Sequence, residues 1–137
     1  MSHLHFTAAI IPGAGRGKTL GVPTFNLDLS QVPEELQEGV YACNAILNEQ
    51  RKTNNEKRYA ATMHFGPRPT FGDTKSCEVH VLEVSGVRFQ VSGTITVEVI
   101  EKLRDIQKFE SAEALKRQMA EDGERAKQIL QSLFPKT

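Results

Sequence analysis

Residues 12–27 read Pro-Gly-Ala-Gly-Arg-Gly-Lys-Thr-Leu-Gly-Val-Pro-Thr-Phe-Asn-Leu and hold the densest chemistry in the chain. Glycines let a backbone turn tightly and approach a ligand closely. Successive exposed N–H groups in such a turn form an anion-binding concavity. Arg16 and Lys18 add full positive charge, and Thr24 and Asn26 add neutral oxygens. The set suits a phosphate chain carrying a hard metal ion. The glycines and basic residues are equally compatible with a solvated hairpin loop, and Thr24 and Asn26 with local turn hydrogen bonds. Residue types alone leave these readings open.

Two familiar phosphate motifs are excluded. A P-loop ends in Gly-Lys-Thr, as residues 17–19 do, but its first glycine would fall where Pro12 stands. A P-loop must also open a helix, and Pro23 follows Lys18 too closely, since proline inside a helix costs about 3 kcal/mol. The dinucleotide fingerprint fails because Gly13-x-Gly15 is followed by Lys18 in place of glycine. The glycine loop therefore leads into an extended segment. There alternate side chains share a face, so Thr24 and Asn26 point the same way and their oxygens can reach one ion.

Residues 77–84 read as a strand with Glu78, His80 and Leu82 on one face. A lone glutamate on a strand is ordinarily a surface residue. His3 and His5 would share a face with Thr7, which is a conceivable metal pair but reads as a solvent-facing terminus.

The elements that must position these groups are mostly strands. Residues 4–11, 24–29, 40–47, 59–65 and 77–84 read as strands or extended pieces. Residues 88–100 read as one long strand or two shorter ones. Residues 32–39 are a loop, 48–57 a hairpin tip, and 66–73 a second rigid loop. Residues 103–109 are a connector. Ser111 then looks like a helix N-cap, with Glu113 in the first turn. Leu115, Met119, Ala126, Ile129 or Leu130, and Leu133 make an apolar stripe along that helix. Gly123 weakens it by about 1 kcal/mol, and Pro135 closes it. Short strands first and one helix last predict a mainly β domain, an antiparallel barrel or sandwich.

Bulk properties narrow the function. The 137 residues are one domain's worth. Seventeen basic and seventeen acidic residues give zero formal net charge, so no global field attracts nucleic acid or anionic membrane. A basic stripe with interleaved aromatics, as a nucleic-acid-binding barrel would need, is not evident. No segment approaches the ~20 apolar residues of a membrane span, and no secretory leader is evident. Cys43 and Cys77 stand far apart, with no metal-site spacing. They read as reduced, buried thiols of a cytoplasmic protein.

The chain resembles the riboflavin kinase (flavokinase) family. The resemblance rests on residues 13–27, with their glycine loop and Pro-Thr-x-Asn tail, and on Gly39-Val40-Tyr41. It continues through Gly66-x-Arg68-Pro69-Thr70-Phe71 and Glu78-Val79-His80-Val81-Leu82, then Leu103-Arg104, Lys108-Phe109 and the helix from Ser111. It implies a six-stranded antiparallel Greek-key barrel with a long C-terminal helix, spanning residues 1–137 as a single domain. It implies transfer of the ATP γ-phosphate to the ribityl 5′-hydroxyl of riboflavin, giving FMN and ADP. Thr24 and Asn26 would hold Mg2+, with Mn2+ or Zn2+ as alternatives, and touch the nucleotide. Gly13, Gly15, Arg16, Gly17 and Lys18 would surround the phosphates. Glu78 would be the catalytic base, and Arg104, Gln107 and Phe109 would belong to a lid over the flavin. Partners would be riboflavin, FMN, ATP and ADP, with no nucleic acid or membrane, and the chain would act as a monomer.

Three positions depart from the family pattern: Phe25 where alanine is usual, His64 where asparagine is common, and Ile106 where an acid is expected. Phe25 would set a bulky ring beside the metal-holding residues. Bacterial relatives usually carry an FMN adenylyltransferase domain, which has no room here, so the chain is expected not to make FAD unaided. The competing expectation is a catalytically weak flavin- or nucleotide-binding barrel with a regulatory role.

Overall fold

The structure is a computed structural model, describing residues 4–11, 24–48, 58–68, 73–82 and 93–133. The strands are β1 (His5–Ile11), β2 (Thr24–Leu27), β3 (Gly39–Asn48), β4 (Arg58–Arg68), β5 (Asp73–Val81) and β6 (Thr94–Arg104). One helix, α1 (Ala112–Leu133), follows them. A short 3-10 turn, Leu29–Gln31, comes directly after β2, where Asp28 accepts the Ser30 N–H.

The strands close into an antiparallel barrel in the order β1-β2-β5-β4-β3-β6. Closure follows from β1, which pairs with β2 on one side and β6 on the other. Every strand is then paired and no edge is left exposed. Of the barrel and sandwich left open by the strand pattern, the chain adopts the barrel.

Strand alternation decides the inner face. Phe6, Phe25, Met63, Val79, Ile95 and Val97 are all buried in one core cluster. Their neighbours along the chain point outward. On the outer face, Val40, Ala42, Leu82 and Leu103 pack with Ala126 of α1. The helix thus covers the outside of β3 and β4. The outside of β2 and β5 is left to polar residues.

The helix starts as expected. Ser111 Oγ accepts the Ala114 N–H at 3.1 Å, and Glu113 stands in the first turn. Its buried face is Asp122, Gly123, Ala126 and Leu130. Leu133, expected in the apolar stripe, is instead 53% exposed, while Leu130 in the same turn is buried. At Gly123 the helix comes so close to Leu82 that an added Cβ would lie 3.4 Å from its Cδ2.

Element ends differ from expectation where pairing extends them. β4 runs through Gly66, Pro67 and Arg68, and Arg68 pairs with Asp73 of β5. The expected loop at 66–73 therefore shrinks, its remaining residues 69–72 lying outside the described ones. Likewise β6 runs from Thr94 to Arg104 and absorbs the start of the expected connector. Gly66 has φ +140°, and an added Cβ would lie 3.1 Å from Ile106 Cγ1 and 3.3 Å from Glu38 Cβ. Only glycine lets the segment after β6 seat against β4 there. The Gly86 turn, the hairpin tip at 49–57 and Pro135 lie outside the described residues.

Candidate active site

β5 is the strand on which the site is built. It carries Glu78 and His80 outward between β2 and β4. On the β2 side, Asn26 stands opposite Glu78 and Thr24 opposite His80. On the β4 side, His64 stands opposite Glu78 and Thr62 opposite His80. Direct cross-strand partners share a face, with Cβ atoms about 4.5–5.5 Å apart. The outer face therefore bears two polar rows, Asn26–Glu78–His64 and Thr24–His80–Thr62.

Phe25 lies between the rows in sequence but on the other side of the sheet. It pairs with Val79 and is 4% exposed in the barrel core. The expectation that its ring crowds Thr24 and Asn26 is corrected. Alternation along the strand sends the ring inward.

Glu78 is 3% exposed and His80 5%. A buried carboxylate needs hydrogen-bond partners. Ser76 Oγ donates to Glu78 Oε2 at 3.3 Å, and His80 Nε2 lies 3.9 Å from Glu78 Oε1. The other ring nitrogen, Nδ1, is 2.9 Å from Thr24 Oγ1. His80 thus stands between the Thr24 hydroxyl and the Glu78 carboxylate. Thr24 and Asn26 are half-buried neutral oxygen donors on one face. Their chemistry fits Mg2+, a hard cation that takes oxygen ligands and keeps several waters. Among the described residues no group of three or more His, Cys, Asp or Glu side chains gathers as a metal centre.

Cys77 flanks Glu78 but faces the core. Burial, and then the Glu78 charge beside it, push its thiol up to about 12. Burial, then Cys77, pushes the Cys43 thiol well above its usual value. Neither is suited to nucleophilic work.

Gly13, Gly15, Arg16, Gly17 and Lys18 lie outside the described residues. The ends of their segment are placed. The chain leaves β1 at Ile11, which pairs with Asn26, and re-enters the sheet at Thr24. A connection between those points begins and ends beside the polar rows.

Arg104 ends β6 opposite Val40, which is itself opposite His64. Its guanidinium turns to the helix. Nε donates to Asp122 Oδ2 at 3.0 Å, and Nη2 lies 2.9 Å from the same oxygen. Asp122 is 2% exposed and also accepts from Gln118 Nε2 at 3.0 Å. The Arg104 guanidinium carbon also lies 5.4 Å from the centre of the Phe109 ring, a cation–π arrangement. Gln107 is exposed and Phe109 half-buried on the segment between β6 and α1. Ile106 packs against the cluster beneath the helix.

Two residues were not singled out from the sequence. His80 is two positions from Glu78 on a strand, so a shared face was legible, but its partner Thr24 was not. Asp122 interrupts the helix stripe with an acid. A buried acid demands a cationic partner, and that was the available signal.

Comparison with known proteins bears on the family and the fold. The riboflavin kinase model "Flavokinase" matches residues 1–130. The chain is 32% identical over 115 residues to the bifunctional riboflavin kinase/FMN adenylyltransferase of Escherichia coli, covering 82% of this chain and 34% of that protein. It is 28% identical over 123 residues to the trifunctional protein RibF/MnmA of Mycoplasmoides gallisepticum, covering 89% and 17% respectively. The chain thus spans about a third or less of the curated relatives it matches. Among solved structures, riboflavin kinase from Trypanosoma brucei shares the fold, with TM-score 0.63 and 18% identity over 96% of this chain and 82% of that one. A chain described as a macrolide-efflux protein from Streptococcus pneumoniae superposes with TM-score 0.69 and 28% identity, covering 91% of this chain and 38% of that one. No helix among the described residues is long and apolar enough to cross a membrane. With a family model matched along nearly its whole length and the expected six-stranded barrel in place, the chain belongs to the riboflavin kinase family.

Proposed function

We propose that this chain transfers the γ-phosphoryl group of ATP to the 5′-hydroxyl of riboflavin, giving FMN and ADP. The observation that carries the reading is the pairing of Asn26 with Glu78 across β2 and β5. It sets a neutral oxygen donor for a metal beside a buried carboxylate on one face.

Phosphoryl transfer asks a protein chiefly for positioning and charge neutralisation. In this reading Thr24 and Asn26 hold Mg2+, which when bound would neutralise charge on the phosphate oxygens. Mn2+ is the closer substitute, because the donors are oxygens, while Zn2+ favours nitrogen and sulfur. Gly13, Gly15 and Gly17 offer backbone N–H groups to the phosphates, and Arg16 and Lys18 add charge. Glu78 accepts the proton of the ribityl 5′-hydroxyl as that oxygen bonds to the γ-phosphorus. The bond from phosphorus to the β–γ bridging oxygen breaks, and ADP leaves. A positioned general base contributes typically about 10²–10⁴-fold. Ser76 holds one carboxylate oxygen, and the other faces His80.

Gln107 and Phe109 border the flavin in this reading. Arg104 acts behind them, tying the segment to α1 through Asp122. The chain works as a monomer, and its two buried thiols suit the reducing cytoplasm.

The test is to incubate the purified chain with riboflavin, ATP and Mg2+ and to separate flavins by chromatography. FMN that appears only when all three are present supports the reading. Retained flavin binding without FMN would replace it with a catalytically silent flavin-binding barrel.

A further inference from the structure

We propose that His80 is a positioning residue that couples the metal-holding Thr24 to the Glu78 base. The inference rests on the proposed kinase reading and adds a role for a side chain that reading leaves idle.

The argument starts from the proton on Thr24. A hydroxyl has one proton and two lone pairs. An oxygen that turns a lone pair towards a cation must send its proton elsewhere. His80 Nδ1, at 2.9 Å from Thr24 Oγ1, is placed to accept it. An imidazole that accepts at Nδ1 carries its own proton on Nε2 when neutral. That N–H faces Glu78 Oε1 across 3.9 Å. This is longer than a hydrogen bond, but a dipole aimed at a carboxylate in a buried site still orients it.

The chain of donors therefore runs one way: Thr24 O–H to Nδ1, then Nε2–H towards Glu78. Both links depend on one tautomer. The opposite tautomer would place an N–H against Thr24. The hydroxyl would then spend a lone pair on His80, and the bare Nε2 lone pair would face the carboxylate. The first leaves Thr24 one lone pair in place of two for the cation, and the second withdraws an N–H from the carboxylate. The ring itself is held in place, being 5% exposed on the central strand of three, opposite Thr24 on one side and Thr62 on the other, so the tautomer and not the ring pose decides which contacts form.

Two substitutions separate the links. His80→Asn places an amide oxygen near the former Nδ1, so it keeps the acceptor for Thr24 and loses the donor towards Glu78. His80→Gln places its amide near the former Nε2, so it keeps the donor and loses the acceptor. Two readouts are taken for each. One is Mg2+-dependent ADP affinity by calorimetry, and the other is kcat for FMN formation at saturating Mg-ATP.

The expected pattern is crossed. His80→Gln weakens Mg2+-dependent ADP binding about tenfold and largely keeps kcat, the scale of one lost buried hydrogen bond. His80→Asn keeps that affinity and lowers kcat about tenfold. Riboflavin affinity is unchanged in both. Equal losses in both readouts, or no loss in either, overturn the proposal, because general damage to the sheet cannot produce a crossing. Should His80→Gln fail to fold, His80→Ala carries its arm. Added imidazole then restores Mg2+-dependent ADP binding if the proposal holds, and fails to restore it if not. A wild-type chain that forms no FMN defeats the kinase reading and this inference with it. A wild-type chain that forms FMN, with uncrossed variants, defeats the inference alone.

Discussion

Asn26 and Glu78 are direct partners across the ladder between β2 and β5. An amide and a carboxylate far apart in sequence thereby emerge side by side on the outer wall of the barrel. The inner wall at the same level is Phe25 and Val79, both buried. The apolar layer holds the strands, and the polar layer carries the residues of the proposed chemistry.

Replacing Glu78 with glutamine should remove proton acceptance and little else. Turnover should fall about 10²–10⁴-fold, while riboflavin and Mg-ATP affinities stay close to wild type. Steady-state kinetics with flavin binding by fluorescence checks this. Unchanged turnover would take Glu78 out of the base role.

Asn26→Ala should act on the nucleotide side. The Mg2+ concentration needed for half-maximal rate should rise, with riboflavin affinity preserved. A titration of rate against Mg2+ measures the effect. A normal Mg2+ dependence would mean that Asn26 does not hold the metal.

Phe25→Ala brings this position to the residue usual in the family, yet it should destabilise the fold by about 3–5 kcal/mol through the cavity it leaves. Urea unfolding measures it. Turnover per folded molecule should change little. A large loss of turnover with little loss of stability would put the ring in the site after all.

Asp122→Ala should destabilise the chain by roughly 3 kcal/mol, because it leaves the 14%-exposed Arg104 beside an uncompensated hole. Asp122→Leu combined with Arg104→Met should recover much of that loss, since a packed apolar pair can replace a buried ion pair. Urea melts of Asp122→Leu, Arg104→Met and the double variant form the cycle. Losses that simply add would show that the two residues act separately.

The buried thiols set an alkaline limit. The Cys77 thiol is pushed from 9.0 to about 12 in the fold, by burial first and the Glu78 charge second. Between those values the unfolded chain releases a proton that the folded chain keeps, so rising pH favours unfolding. The contribution is whole below pH 9.0 and fades towards about 12. Melting temperature should fall across that interval, and Cys77→Ala should flatten the fall. An equally steep decline in the variant would assign it to other groups.

Much of this was written locally. Alternation along residues 4–11, 24–27 and 77–81 sorted side chains into two faces, because side chains on a strand alternate whatever it pairs with. Ser111 announced the helix for the same reason, since a cap bonds within its own turn. The glycine loop, the Thr-x-Asn pair and the Glu78 strand, with the motifs at 39–41, 66–71 and 103–109, carried the resemblance to the family.

Pairing was beyond local reach. No property of Asn26 alone names Glu78 as its neighbour, and no property of Thr24 alone names His80. Those partnerships are settled by the strand order and register of a closed sheet, in which every strand's position depends on all the others. The same holds for Phe25, whose ring is harmless because it turns inward, and for Asp122, whose burial makes sense only once Arg104 arrives from β6. Residue types and spacing determined which chemistry the chain carries. Only the closed barrel decided which groups meet, because contacts between distant segments come from global packing and not from neighbours in the chain.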